Sequence, residues 1–240
     1  MSQRRPSVLV ANLASRDPGS SQTVILEELR RVILSGGAPP GTAIPVDEVA
    51  DHFGVSRIPI RESLKTLIGE GLVDHRANAG YTVARLTVDE LEELYLVRGV
   101  LEAAAHSVGI VLADESDHER ARAAYAALDR SVLEDDRAAY HRESRNFHLS
   151  LAVPCRMQRL LHMFESAWNI TEPVQPMSQV ATTARLRLHL DHRDMLAAFL
   201  ARDADALKAA TDRHNKQLGA VIAALPTDTG IFRDTPGDGR

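Results

Sequence analysis

The sequence is poor in cysteine, in aromatic residues and in long apolar runs. Cys155 is the only cysteine among 240 residues, and aromatic residues make up 4% of the chain. No internal disulfide can form, which excludes a disulfide-dense secreted domain. The sequence shows neither a signal peptide nor a run of about 20 apolar residues, so we expect a cytoplasmic protein with no membrane partner.

Excess positive charge is also missing. The chain has 28 Lys and Arg residues against 33 Asp and Glu residues, which gives a net charge of −5 at pH 7. This balance argues against a protein that coats nucleic acid through bulk charge, but it permits a site-specific binder with a few well-placed cations. A hydrophobic content of 44% and a charged content of 25% indicate a globular chain long enough for two domains.

A helix, a turn and a second helix are predicted between Val46 and Ile68. Apolar residues recur at a helical spacing over residues 46–53, Gly54 permits a sharp turn, and Ser56 is suited to cap the next helix. Two stripes run along that second helix. The apolar stripe predicts a buried face and consists of Ile60, Leu64, Leu67 and Ile68. The cationic stripe predicts an exposed face and consists of Arg57, Arg61 and Lys65.

A β-hairpin is predicted directly after the second helix. Two short β-prone runs, LVD and YTV, are joined by HRANAG, which carries Arg76, Asn78 and Gly80. Three cations on a helix are by themselves equally well read as a solvated surface. A helix, a turn, a capped helix and a hairpin in this order are a narrower pattern, which predicts a winged helix-turn-helix that binds double-stranded DNA.

The segment GVSRIPIRESLKTLIGEGLV resembles the signature of the GntR family of bacterial transcription regulators, and the resemblance covers residues 22–83. It implies a homodimer that presents two reader helices to a pseudo-palindromic operator. Asp47 departs from the family pattern, because relatives often carry there a basic or polar residue that contacts phosphate. The predicted DNA-binding residues are Ser56, Arg57, Arg61, Lys65, Arg76, Asn78 and Gly80.

The fold class predicted for the whole chain is mainly α. Residues 1–21 lack apolar periodicity and are expected to form a flexible tail, the winged domain spans residues 22–85, and residues 226–240 are expected to be a disordered tail. Residues 86–225 have helical patterns separated by prolines and polar turns, which predicts an all-α bundle of six to seven helices for effector binding and dimerisation. A solvated N-terminal tail with no role is the simpler interpretation, and phosphate contacts from Arg4 and Arg5 are the alternative. Ser116 and Glu119 are expected to form a capping box.

Four polar residues lie on apolar stripes of the predicted bundle. Each of His148, His192 and His214 taken alone is most simply a hydrogen-bonded core histidine. Three that converge from separate helices instead predict a site for one divalent transition metal, zinc or nickel. Arg98 needs a buried partner, which is either Glu102 one helical turn later or the carboxylate of a small effector.

The bundle resembles the FCD effector domain that accompanies the GntR-type reader in the FadR subfamily. The FH pair that ends at His148 and the run HRDMLAAFLARDADAL that starts at His192 carry this resemblance. It implies that Arg98 and the three histidines bind the effector, and that an aspartate four residues before His148 joins the histidines on the metal. Serine occupies that position as Ser144, so the family's anionic ligand is absent and water or an anionic effector would complete the shell.

Together these features predict a ligand-responsive transcription regulator, with repression as the expected direction and a small carboxylate metabolite as the expected effector. The alternative is a metal-dependent hydrolase that uses the three histidines and an open coordination position. That alternative lacks a general base at a recognised spacing, since HExxH, GxSxG and P-loop motifs are absent from the sequence. It also leaves the cationic stripe unexplained, so we do not expect an enzyme.

Overall fold

The computed structural model describes residues 7–14, 19–226 and 230–233. Arg4 and Arg5 lie outside these residues. The described chain divides into two compact units. The first contains the described residues up to Thr87, the segment Asn169–Val174 and the described residues after Pro226, and the second contains Val88–Trp168 and Gln175–Pro226.

The first unit is a winged helix-turn-helix with a small antiparallel sheet. Its elements are α1 (Val8–Ala11), α2 (Gln22–Leu34), β1 (Ala43–Ile44), α3 (Val46–Phe53), α4 (Arg57–Gly69), β2 (Val73–Arg76) and β3 (Gly80–Val83). The strand order is β1-β3-β2, and Arg76 pairs with Gly80 at the closed end of the β2–β3 hairpin. The predicted helix, turn, helix and wing are confirmed, and β1 adds a third strand that the sequence did not predict.

The apolar faces of α2, α3 and α4 pack together as the core of this unit. Ile60, Leu64 and Leu67 are fully buried, as their spacing along α4 predicts. The prediction that Ile68 belongs to the same buried face is wrong, because its side chain is 37% exposed. One residue turns a helix by about 100°, so Ile68 lies at the edge of the stripe that ends at Leu67.

The expectation of a flexible tail over residues 1–21 does not hold for residues 7–14. The hydroxyl of Ser7 accepts a hydrogen bond from a backbone N–H of α1 and so caps that helix. Leu9 and Leu13 are buried in the core of the winged domain. A four-residue helix is too short to produce an apolar period, and packing against the rest of the domain supplies its stability instead.

The expectation of a disordered tail over residues 226–240 does not hold for its described part after residue 229. Phe232 is buried, and the backbone N–H of Arg233 donates a hydrogen bond of 2.9 Å to the carbonyl of Leu86. The segment around these residues is rich in Pro, Gly and Asp, which suggested a solvated chain. A single buried aromatic ring anchors it instead, because one such side chain removes a large apolar area from water.

The second unit is an all-α bundle, as predicted. Its helices are α5 (Val88–Leu112), α6 (Glu115–Leu133), α7 (Arg137–Ala152), α8 (Gln158–Thr171), α9 (Pro176–Gln179), α10 (Thr182–Leu200) and α11 (Ala204–Ala223). The last three residues of α8 belong to the first unit. Six long helices and the short α9 match the predicted number of six to seven. α7, α10 and α11 carry the three histidines, and α5 carries Arg98 and Glu102.

The start of α6 corrects one predicted cap. Asp114, rather than Ser116, is the N-cap, and its carboxylate accepts a hydrogen bond of 3.0 Å from the N–H of Asp117. The carboxylate of Asp117 in turn accepts a hydrogen bond of 3.0 Å from the N–H of Asp114, which completes a capping box. The helix therefore begins two residues before the predicted start, and two carboxylates in its first turn also interact favourably with the helix dipole.

α5 is the one helix within the described residues whose length and hydropathy would allow it to cross a membrane, with a mean hydropathy of 1.3 over its most apolar 18 residues. Core helices of globular proteins meet the same criteria. The inner face of α5 buries the charged residues Arg98 and Glu102 in the bundle. Its outer face leaves Leu96 and Val100 exposed, at 69% and 63%.

Candidate functional site

α4 presents its cationic stripe to solvent. Arg57, Arg61 and Lys65 are all exposed, whereas Ile60 and Leu64 on the other side of the helix are fully buried. The buried face anchors α4 in the core and determines which residues point outward. The three cations therefore form one exposed row that can approach a negatively charged polymer.

Two of the three cations already have acidic neighbours. Arg57 Nε lies 2.5 Å from Asp47 Oδ1, and Lys65 Nζ lies 2.7 Å from Glu62 Oε1. The hydrogen bond from Lys65 to Glu62 raises the pKa of the lysine. Exposed pairs of this kind are weak, so either cation can exchange its carboxylate for a phosphate or a base. Asp47 thus stands beside a predicted reader residue.

Ser56 occupies the cap position of α4 without capping it through its side chain. Its backbone has the extended conformation of an N-cap, with φ −73° and ψ 168°, but its hydroxyl makes no capping hydrogen bond. The predicted side-chain cap is therefore wrong. The exposed hydroxyl stands one residue before Arg57, at the positive end of the helix dipole.

A groove of about 700 Å³ lies between the wing and the segment that joins β1 to α3, and Arg61 of α4 also lines it. It brings together three of the predicted DNA-binding residues, namely Arg61, Asn78 and Gly80. Asn78 and Gly80 both have positive φ, 65° and 86°, which closes the tight turn of the hairpin. Arg57, Lys65, Arg76 and Ser56 are exposed on the same domain but do not line this groove.

Two residues in the groove were missed by the sequence analysis. His75 and Tyr81 are paired across the β2–β3 hairpin, and their rings lie 4.5 Å apart. Both line the groove beside Arg61. The signal in the sequence was the hairpin register, because residues directly opposite one another place their side chains on the same face of a sheet.

The three predicted histidines converge in the interior of the bundle. His148 on α7, His192 on α10 and His214 on α11 are all buried, with exposures of 3%, 1% and 2%. One ring nitrogen from each lies within 4.8 Å of the other two. The sequence prediction that these helices direct three imidazoles to one place is confirmed, and the cluster can hold a metal ion.

The spacing of the nitrogens fits a metal site. His148 Nε2 lies 3.1 Å from His192 Nε2. Two imidazole nitrogens bound to zinc at about 2.0–2.1 Å lie roughly 3.3 Å from each other in tetrahedral geometry. A ring-to-ring hydrogen bond has a similar length, so the distance also fits the alternative of hydrogen-bonded core histidines.

Two carboxylates lie behind the histidines. Glu102 Oε1 is 2.5 Å from His148 Nδ1, and Glu102 is 3% exposed. Asp191 Oδ2 is 3.9 Å from His214 Nδ1, and the other oxygen of Asp191 accepts a bond of 2.6 Å from Arg213 Nε. Neither carboxylate could be placed beside its histidine from the sequence, because each lies on a different helix from that histidine.

The surroundings determine the charge states of these groups. Burial lowers the pKa of His192 well below its usual value, and the neighbouring histidines lower it further. Burial and the nearby charge of His148 lower the pKa of His214 to about 3. Burial alone would raise the pKa of Glu102, but the charge of His148 and the hydrogen bond from its ring lower it to about 2. Near neutral pH two imidazoles are therefore neutral, as metal ligands must be, and Glu102 is an anion.

Arg98 is buried against aromatic rings. Its guanidinium carbon lies 3.4 Å from the ring centre of Trp168 and 4.4 Å from that of Tyr95. Glu102, the partner offered by the spacing along α5, places Oε1 2.5 Å from Nδ1 of His148. Stacking on an aromatic face accommodates a desolvated guanidinium. The sequence identified Arg98 as buried but did not predict the two rings.

A small cavity lies at the centre of this site. Arg98, Ser144 and the three histidines line it together with Trp168, Tyr95 and other side chains, and its volume is about 10 Å³. A space of roughly this size accommodates one water molecule or one ion. A metabolite of several heavy atoms therefore requires movement of the lining side chains before it can enter.

Comparisons with protein families account for both units. A family model described as "Bacterial regulatory proteins, gntR family" matches residues 21–83. A second model, described as "FCD domain", matches residues 93–217, which is more than half of the chain. The chain belongs to the GntR family. It is a GntR-family helix-turn-helix regulator of the FadR-like subfamily, with an FCD domain at its C-terminal side.

Individual relatives agree with this assignment. The chain is 26% identical over 201 residues to the HTH-type transcriptional repressor RspR of Escherichia coli K12, which covers 82% of this chain and 86% of that protein. It is 32% identical over 114 residues to the uncharacterized HTH-type regulator YdhC of Bacillus subtilis, a match that spans only 48% of each protein. A GntR structure from Rhodococcus sp. RHA1 has the same fold, with a TM-score of 0.74, 24% identity and coverage of 85% of this chain and 99% of that one.

The family assignment decides between the two functions that the sequence left open. GntR-family proteins with an FCD domain are DNA-binding transcription regulators, and the chain is therefore a transcription regulator rather than an enzyme. The alternative of a metal-dependent hydrolase is wrong. The histidine cluster belongs to the FCD domain, which accompanies the DNA-binding domain.

Proposed function

We propose that this GntR-family protein is a cytoplasmic repressor that binds a pseudo-palindromic operator as a homodimer and changes its affinity when a small carboxylate binds in the bundle. The observation that carries the DNA-binding part is the exposed row of Arg57, Arg61 and Lys65 on a helix whose other face is buried. Arg57 and Arg61 stand in the first two turns of α4, where reader helices contact base edges in the major groove.

The other predicted residues of the winged domain are assigned to the DNA backbone. Lys65 and Arg76 are exposed cations without the base-facing position of the first two turns, so they are suited to phosphates. The Ser56 hydroxyl and the wing residues Asn78 and Gly80 can supply neutral hydrogen bonds to the backbone or the minor groove. These contacts position the domain, whereas the two arginines supply specificity.

The proposed dimer uses the outer face of α5. Leu96, Val100 and Val111 are 69%, 63% and 72% exposed on that helix. A groove of about 560 Å³ between α5 and α11 includes Leu96 and Val100 and is bordered by Glu92 and Lys216. A second copy related by a two-fold axis would cover this apolar stripe with its own, and opposite charges at the border favour such self-complementary pairing.

Selection from a pool of random DNA duplexes tests the DNA-binding and dimer proposals together. We expect the full-length protein to enrich an inverted repeat whose half-sites lie about one helical turn apart.

Val100→Glu places a charge on the proposed α5 interface, so this variant should sediment as a monomer and lose most of its operator affinity while the fold is retained. Leu133→Glu places the same charge on an exposed apolar residue of α6 and is the control. Failure to enrich any sequence contradicts the proposed function, and a dimeric Val100→Glu contradicts the proposed interface.

The proposed effector site is the centre of the bundle. Arg98 offers a cation held on Trp168, and His148, His192 and His214 line the same cavity. A mostly apolar interior with these groups favours an anion, and a carboxylate matches the planar edge of a guanidinium. Because the cavity is only about 10 Å³, effector binding must enlarge it, and that movement gives the ligand a means of distinguishing two states of the protein.

Replacing Arg98 tests this assignment. Arg98→Met keeps an unbranched side chain on Trp168 but removes the charge, so we expect a folded, DNA-binding protein that no longer responds to effector. In the parent protein a carboxylate should change operator affinity by about 5- to 150-fold, the usual range of allosteric coupling. Operator titrations and thermal melts with a panel of sugar acids, hydroxy acids and dicarboxylates measure both properties.

Arg193→Met is the matched control, because Arg193 is an exposed arginine on α10 that pairs with Asp194. It should respond to the effector as the parent does. If Arg98→Met lowers the melting temperature but leaves the response intact, Arg98 has a structural role only. If no carboxylate changes either measurement in the parent protein, the effector class is wrong.

The histidine cluster is proposed to hold one divalent ion, zinc or nickel. His148, His192 and His214 would supply three nitrogen ligands, and the remaining positions would face the cavity beside Ser144. A bound ion would add positive charge next to Arg98 and so strengthen the preference for an anionic effector.

A further inference from the structure

The proposed metal site lacks the anionic ligand that its family resemblance implies. Ser144 occupies the position of the aspartate, four residues before His148. Three neutral imidazoles alone would leave the two positive charges of the ion uncompensated in a buried environment, which is energetically unfavourable. A second source of negative charge close to the site would remove this difficulty.

Glu102 lies directly behind one of the proposed ligands. It comes from α5, whereas His148 comes from α7, and the two residues are 46 positions apart in sequence. Oε1 of Glu102 accepts the Nδ1 hydrogen of His148 at 2.5 Å, while Nε2 of the same ring points to His192 at 3.1 Å. The imidazole of His148 therefore connects the carboxylate of Glu102 to the proposed ion position.

The other acidic groups near the cluster do not fill this role. Asp191 lies 3.9 Å from His214, beyond hydrogen-bond distance, and it shares its charge with Arg213 at 2.6 Å. Glu143, the acidic residue next to Ser144 in sequence, accepts hydrogen bonds from Arg142 and Asn146 on the surface of α7. Glu102 is the carboxylate in this group that is both buried and hydrogen-bonded to a histidine of the cluster.

We propose that Glu102 replaces the missing aspartate as the anion of the metal site and acts through His148. The hydrogen bond fixes the tautomer of His148, directs Nε2 towards the ion and makes that nitrogen more basic, while the carboxylate compensates the charge of the ion. The coordination position beside Ser144 then stays open for an exchangeable ligand. Glu102 is thus a positioning residue, and this inference rests on the metal binding proposed above.

Zinc titration of the full chain tests the role of Glu102. The protein is purified without a histidine tag, stripped with a chelator, and titrated with Zn²⁺ in competition with a chromophoric chelator. Glu102→Gln removes the charge at constant size and should weaken zinc binding by about 10- to 100-fold, the usual loss for an outer-sphere partner. Glu143→Gln makes the same change of charge on the surface of α7 and should leave the affinity unchanged.

A rescue experiment separates charge compensation from a merely structural role. Ser144→Asp introduced into the Glu102→Gln protein supplies an anion directly to the ion and should restore most of the lost affinity. Melting of the metal-free proteins shows whether each variant is folded. Equal zinc affinity in the parent and Glu102→Gln, or a loss that Ser144→Asp does not restore, overturns the role assigned to Glu102.

Two further measurements keep the possible failures apart. A parent protein that binds neither Zn²⁺ nor Ni²⁺ overturns both the metal site and this inference, whereas the random-duplex selection tests the DNA-binding proposal independently. If Glu102→Gln does not fold, nitrogen-15 NMR of the imidazole rings of the zinc-loaded parent replaces the titration. The inference requires His148 to keep a proton on Nδ1 and to bind zinc through Nε2, and coordination through Nδ1 overturns it.

Discussion

Arg61→Ala is expected to weaken binding to the selected operator by roughly 1–3 kcal/mol, which corresponds to about 5- to 150-fold, and to relax the preference for one base pair in each half-site. Arg61 lies in the second turn of α4 and lines the groove beside the wing. A guanidinium in that position can donate two hydrogen bonds to a guanine edge, and a wrong base leaves them unmade. Arg57→Ala is expected to have an effect of the same size.

Variants of the surrounding charges distinguish base contacts from phosphate contacts. Lys65→Ala and Arg76→Ala should weaken binding to all sequences alike. Each should also reduce the slope of log K against log salt concentration by about one. Asp47→Asn removes the carboxylate that lies 2.5 Å from Arg57 and should raise the affinity for random DNA. Titrations on operator and scrambled duplexes at several salt concentrations measure these effects. A uniform loss in Arg61→Ala would contradict its assignment as a base reader.

Acidification of the metal-free protein is expected to lower its free energy of unfolding by several kcal/mol, beginning near pH 6.5. Burial lowers the pKa of His214 to about 3 and that of His192 well below its usual value. The unfolded chain binds protons at these residues from about pH 6.5 downward, whereas the folded chain does not. The contribution of these histidines to the free energy of unfolding is therefore fully present above pH 6.5. It declines as the pH falls from there towards 3, by up to about 1.4 kcal/mol per pH unit for each histidine.

Glu102 adds a second, more acidic step of the same sign. Its pKa in the folded state is about 2, so its contribution is present above about pH 4.5 and is lost as the pH falls from there towards 2. Denaturant unfolding between pH 8 and pH 4.5 in the presence of a chelator isolates the histidine step. His214→Gln should reduce its slope. A flat profile from pH 7 to pH 5 would show that the histidines do not control acid stability.

Most of the fold could be predicted because it follows from local patterns. The helical bundle was recognisable because apolar periodicity and polar breaks are properties of neighbouring positions. The winged domain was recognisable because its order of a helix, Gly54, a second helix and a hairpin is a narrow specification. The elements that were missed, α1, β1 and α9, have four, two and four residues, which is too short for any period to show.

The candidate site was predicted only in part. The stripes on three helices identified His148, His192 and His214, because an inward position on a helix is a local property. The residues that control those histidines lie far away in sequence. Glu102 reaches His148 across 46 positions, and Trp168 covers Arg98 across 70. No spacing rule connects such pairs, since their proximity depends on how α5, α7 and α8 pack.

The sequence by itself determined the class of the protein, the order of its domains and the residues that face outward from α4 or inward in the bundle. These properties depend on residue type and on helical or strand periodicity, which neighbouring residues impose. Only the tertiary structure decided that Glu102 contacts His148 and that Arg98 stacks on Trp168. It also decided that the cavity lined by Arg98, His148 and Trp168 has a volume of about 10 Å³. Each of these depends on distances between separate helices, which packing of the whole bundle sets and which no single segment encodes.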